Sequence, residues 1–226
     1  EMFETYADSA TSPIVTNITS GKVSIPAAWR DFVNMAAFHR ESYFSSPEVN
    51  RSAGWLKGMD ADSINFGFLM PLSDVNNILR LTTSCPGDWG AVPAPVPSHR
   101  GGAYIAAAKG TDNAILAAEI IRCLTTNSDV AYDMTVNDYI NGNSITAMMR
   151  LASSEDGEMN VLGGQNPYGY FLDVGEKLYL NVTPYDYDLG LHFVNYTADF
   201  ANDEATYDEC LGNFYRYAEQ EYALSN

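Results

Sequence analysis

Basic side chains are scarce in this chain: 12 Lys and Arg stand against 29 Asp and Glu, a formal net charge of −17. The shortage is steepest near the end, where residues 151–226 hold two basic residues and 14 acidic ones. A surface so charged repels phosphate backbones and anionic lipid, which excludes nucleic acid and acidic membranes as partners. A solvated acidic face serving solubility accounts for the excess without any site. Cysteine is scarce too. Cys85, Cys123 and Cys210 are too few for a disulfide framework and too far apart for a CxxC motif. His39, His99 and His192 are equally scattered, so no ligand cluster for zinc is in view, and neither a metal nor a cofactor is expected. No apolar run approaches the roughly 20 residues that span a bilayer. The GxSxG nucleophile elbow and the phosphate-cradling GxxxxGK[ST] loop are both missing, so no catalytic residue is assigned. A charged-then-apolar export signal is also missing from the start. The opening Glu1-Met2-Phe3-Glu4-Thr5-Tyr6 reads as the inside of a helix, so any export signal is expected upstream.

Aromatic residues are plentiful: 15 Tyr, 10 Phe and 3 Trp in 226 residues that are 46% hydrophobic. That composition predicts an ordered chain with a sizeable core. Ile14 to Ile18 reads as a strand, Gly21-Lys22 as a turn, and Pro26 as the opening of a helix near Phe32. Residues 63–70 read as a strand, β-branched and aromatic and ended by Pro71, with a helix after it from about Asp74 to Leu81. Pro93, Pro95 and Pro97 forbid a central strand over 91–97, because each lacks a donor N–H. Gly101 to Ala107 reads as a further strand. A helix over 113–124 sets Ile115, Leu116, Ile120 and Leu124 mostly on one face, with Cys123 among them expected as a buried, inert thiol. Two helices close the chain, marked by Leu189, Phe193, Tyr196 and Phe200 and by Tyr207, Leu211, Phe214, Ala218 and Tyr222. Each set recurs at steps of three and four, the width of one core-facing stripe. Strands separated by helices predict the α/β class.

Four segments, in order over about 100 residues, resemble the family 1 extracellular solute-binding proteins of bacterial ABC transporters, the sugar-binding lipoproteins in particular. They are Asp88-Trp89-Gly90, the run from Gly101 to Asn113, Leu162-Gly163-Gly164-Gln165-Asn166-Pro167-Tyr168, and Thr183-Pro184-Tyr185-Asp186. Gly54 to Met59 and Phe66 to Met70 are similar to the family's upstream pattern. The resemblance implies a periplasmic-binding-protein-like (type II) fold of two α/β lobes, of which this chain supplies mainly the C-terminal one. Residues 1–101 and 142–226 would form the second lobe and 102–141 would contribute to the first, with strands passing between the lobes near Gly102 and Asn143.

The function so implied is capture of a carbohydrate outside the cell and delivery to the membrane permease of an ABC importer. The protein would act as a monomer, extracellular or periplasmic, on a cell-surface lipoprotein anchor. Sugars offer apolar C–H faces ringed by hydroxyls, so a site for them needs flat aromatic platforms with planar polar partners. Carried over by position, the ligand contacts would be Ser73, His99, Arg100, Gly102, Tyr104, Tyr185 and Asp186. Ser73 stands near the place of a family tryptophan, and Ser98-His99-Arg100 stands where the family often has an aromatic before the double glycine. Gln165 and Asn166 are expected to shape a turn. Two rival functions are an interaction module without a small ligand and a glycoside-processing enzyme using paired carboxylates. The second needs one acid with a raised pKa, and neither Asp186 with Asp188 nor the Glu155–Glu158 cluster has the apolar setting for it.

Overall fold

A computed structural model describes residues 3, 6–7, 14–17, 21–42, 48–94, 96–98, 104–177 and 183–224. The chain is mostly helical and divides into two compact units. The first comprises Glu1–Pro47, Val96–His99 and Leu178–Asn226; the second comprises Glu48–Pro95 and Arg100–Lys177.

In the first unit, β1 (Val15–Asn17) pairs antiparallel with β2 (Lys22–Val23). Gly21 turns the chain between them at φ 65°, and its α-carbon lies so close to Ala223 that a Cβ would sit 3.3 Å from that carbonyl oxygen. Glycine meets both demands at no steric cost. Helix α1 (Ala27–Glu41) follows Pro26, which stands just before the helix as expected. The two closing helices form as their stripes predict: α8 (Asp186–Ala201) and α9 (Tyr207–Tyr222). Leu189 and Phe193 of the one, and Phe214 and Ala218 of the other, are wholly buried with Ile14, Val33 and Trp29. Phe193 meets Trp29 at 5.2 Å and Phe214 edge-on at 5.6 Å, the offset geometry that aromatic quadrupoles favour.

The second unit holds α2 (Ala53–Lys57) and α3, an irregular helix over 72–82. The middle turn of α3, Val75–Leu79, is π-helical. After these come α4 (Ala114–Thr126), α5 (Ser128–Asp138), α6 (Ile145–Ala152) and α7 (Tyr168–Lys177). One core gathers Trp55, Met59, Val75, Leu79, Val161 and Leu162; another gathers Leu72, Leu151 and Tyr168.

The Leu162–Tyr168 segment ties this unit together. Gly163 lies at φ 65° with room for no Cβ, which would meet the Gly87 carbonyl oxygen at 2.9 Å. Gln165 pairs with Ala91 as a strand neighbour would: its Oε1 accepts from the Ala91 N–H and its Nε2 donates to the Ala91 carbonyl, each at 2.7 Å. Asn166 donates to the carbonyls of Leu151 in the last turn of α6 and Ser154 just beyond it, and accepts from the Tyr168 N–H at the start of α7.

Four expectations are corrected. Residues 63–70 form no strand, with Phe66 fully exposed, because no neighbouring strand lies alongside among the described residues. Residues 104–107 are likewise irregular and exposed, and 101–103 of the same expected strand lie outside the described residues. Asn143 lies in the irregular connection between α5 and α6 rather than in a strand; Gly102 lies outside the described residues. Helix α4 forms where predicted, yet none of its residues is buried, so Ile115 is 82% exposed and Cys123 is exposed rather than sheltered. The periodicity identified the helix correctly, but its apolar face is only partly covered by the described residues, with Leu116 56% and Ile120 50% exposed.

Candidate functional site

Asp186 opens α8, and both its carboxylate oxygens are already engaged. Oδ2 accepts from the Thr183 N–H at 2.7 Å and from the Thr183 hydroxyl, while Oδ1 accepts from the Ile14 N–H at 3.0 Å. This acid therefore fixes the N-terminus of α8 to the residue that leads into β1. Its neighbour Tyr185, half-buried, packs edge-on against Tyr222 at 5.5 Å.

Two residues on, Asp188 has a different setting. The hydroxyls of Tyr217 and Tyr222, both from α9, donate to its Oδ2 at 2.9 and 2.7 Å. His192, one turn further along α8, brings Nε2 to 3.9 Å from the same oxygen and stacks on the Tyr217 ring at 4.0 Å. Tyr196 continues the row against Tyr217. Asp188, His192 and Tyr196 follow one another at steps of four, which sets them on one face of α8. The hydrogen bond from Tyr222, then that from Tyr217 and the nearby imidazole, outweigh burial and hold the Asp188 carboxyl below its ordinary range. Both phenols are raised: Tyr217 by burial first and then by its bond to Asp188, Tyr222 by that bond first. An ionised acceptor, 40% exposed, thus sits beside flat rings. That pairing offers a hydroxyl-rich ligand a hydrogen-bond acceptor and apolar faces at once.

In the second unit, Ser73 is exposed on α3 and lines an open cleft of about 580 Å³ with Arg51, Asp74 and Asn77. Tyr104 is 98% exposed on its irregular segment. His99, Arg100 and Gly102 lie outside the described residues.

Of the residues expected at a site, the fold brings Tyr185 against Tyr222 of the Asp188 group and sets Ser73 on the cleft, while Asp186 is bonded to Thr183 and Ile14 instead. By sequence alone Asp188 reads only as one of a catalytic pair, and Tyr196 and Tyr222 only as core. The i, i+4 pair Asp188 and His192 on an otherwise aromatic helix face was the available signal. The chain matches no family model, no curated protein and no solved structure.

Proposed function

We propose that this chain belongs to the substrate-binding component of an ABC importer, with the two-lobed periplasmic-binding-protein-like fold, and captures a carbohydrate outside the cell for a membrane permease. The reading rests on the four ordered segments that resemble that family. The structural observation that carries it is the half-exposed Asp188 with the phenols of Tyr217 and Tyr222 on one oxygen and His192 stacked beside it.

The same observation favours binding over glycoside chemistry. A general acid for glycoside cleavage needs a raised pKa, whereas Asp188 is lowered. The nearby Asp186 has both oxygens taken by Thr183 and Ile14. A carboxylate that stays charged accepts hydrogen bonds and lets its ligand leave unchanged, as delivery to a permease requires.

Calorimetry and thermal shift with a panel of mono- and oligosaccharides test this directly. A bound sugar stabilises the fold by about 2.7 kcal/mol at a hundredfold excess over Kd, and Tyr217→Ala weakens that effect. Silence across the whole panel would sink the carbohydrate assignment, and release of a shortened oligosaccharide would replace it with an enzyme.

A further inference from the structure

The cleft beside Ser73 has a strained residue at its edge. Arg51 lies just before α2 with φ 63°, in the left-handed region that costs a side-chain-bearing residue energy and that recurs at ligand clamps. Its Nη2 donates to Asp74 Oδ1 at 2.8 Å. The Asp74 side chain is 6% exposed and the Arg51 side chain 57%, so a buried acid anchors one corner of the guanidinium while the rest remains open to solvent. Across the cleft, Ser73 and Asn77 are exposed on α3, and Leu56 and Ile78 supply apolar wall. The π-helical turn of α3 spans Asn77 and Ile78; such turns are frequent at functional sites because they re-aim side chains. The cleft is open to solvent, with a volume of about 580 Å³.

We propose that this cleft binds the carboxylate of a small hydroxylated acid, such as an acidic sugar, and that Arg51 determines this specificity. The cleft offers a guanidinium fork that only donates, together with the Ser73 and Thr82 hydroxyls and the Asn77 amide, which can both donate and accept. Its one carboxylate, Asp74, is buried and already holds Arg51. A planar fork presents two parallel N–H groups to a carboxylate, whereas a neutral hydroxyl offers no matching pair of acceptors. The Arg51–Asp74 pair is neutral overall, so a ligand carboxylate is held by the remaining N–H groups of the guanidinium rather than by net charge, and a phosphate dianion would call for cations that the cleft lining does not supply. Ser73 and Asn77 are then left for the ligand's hydroxyls. Carboxylate binding here is independent of what the Asp188 group takes.

The test is calorimetry on the whole chain with D-galacturonate, D-galactose and inorganic phosphate as probes. Galacturonate binds about tenfold or more tightly than galactose or phosphate. Arg51→Lys keeps the charge but loses the fork, and lowers galacturonate affinity by about tenfold with Tm close to that of the parent. Ser73→Ala, exposed and outside the core, weakens it by a smaller factor. No heat with galacturonate, equal binding of galactose or of phosphate, or an affinity untouched by Arg51→Lys would each overturn the assignment.

Discussion

Asp188 shares one oxygen with two phenols, so its proton and theirs are linked. With the Asp188 carboxyl lowered in the fold, its stabilising contribution is complete above the ordinary carboxylate pKa of about 4. That contribution is lost as pH falls from there through the lower folded value. Tyr217 and Tyr222 are raised, so their contribution has the opposite sense: it is complete below the ordinary phenol pKa of about 10 and disappears as pH climbs through the folded values. Removing the charge separates the two causes. Asp188→Asn returns Tyr222 most of the way to ordinary titration, because the bond to Asp188 is its main cause. Tyr217 moves less, because burial is its chief one. Ring-labelled NMR titration of the two tyrosines measures this; an unmoved Tyr222 would show that the acid does not control it. This part of the site was only half legible. The helix that carries Asp188 could be placed from its stripe, but the partners of Asp188 lie 29 and 34 residues further along, and no local spacing joins an acid on one helix to phenols on another.

At the level of elements, two side-chain clasps act as braces. Gln165 supplies both the donor and the acceptor that Ala91 would otherwise obtain from a neighbouring strand. Gln165→Ala leaves two partly buried backbone groups unpaired and costs about 1–3 kcal/mol. Gln165→Glu is no rescue, since it sets a second acceptor against the Ala91 carbonyl; denaturant melts of both variants check this, and a neutral Gln165→Glu would refute the clasp. At α9, Thr206 and Glu209 close a reciprocal capping box, so Thr206→Ala lowers stability by about 0.5–2 kcal/mol in the same assay. Both terminal helices were legible, because steps of three and four from Leu189 and from Tyr207 determine which residues meet the core. The expected strand at 63–70 was not borne out, for a physical reason. Aromatic and β-branched residues suit a pleat, but a strand exists only when a neighbour takes its peptide groups, and local composition says nothing of that neighbour. Helix α4 is the complementary case: its period was readable, while the exposure of Ile115 and Leu116 depends on what lies beside them.

Across the whole molecule the acidic excess sets the response to salt. Residues 151–226 carry 14 acids and two bases, and they include α7, α8 and α9, with Asp199, Asp203 and Glu204 at and just beyond the end of α8 and Glu219 and Glu221 in the last turn of α9. Repulsion among such charges raises the free energy of the compact state. Salt shortens its reach, from a Debye length of about 30 Å at 0.01 M to about 10 Å at 0.1 M. Against this stand exposed ion pairs, which salt weakens, among them Arg150 with Asp129 at 2.6 Å and Lys177 with Asp173 at 2.6 Å. Exposed pairs contribute about 0–1 kcal/mol each, too little to offset a net charge of −17. Repulsion therefore dominates, and Tm rises as sodium chloride is added from low ionic strength, most steeply at the start and levelling once the Debye length falls below the spacing of the acids. Calorimetric scans across salt concentration at neutral pH decide the point: a falling Tm would mean that attraction between the paired charges outweighs the crowd of unpaired ones.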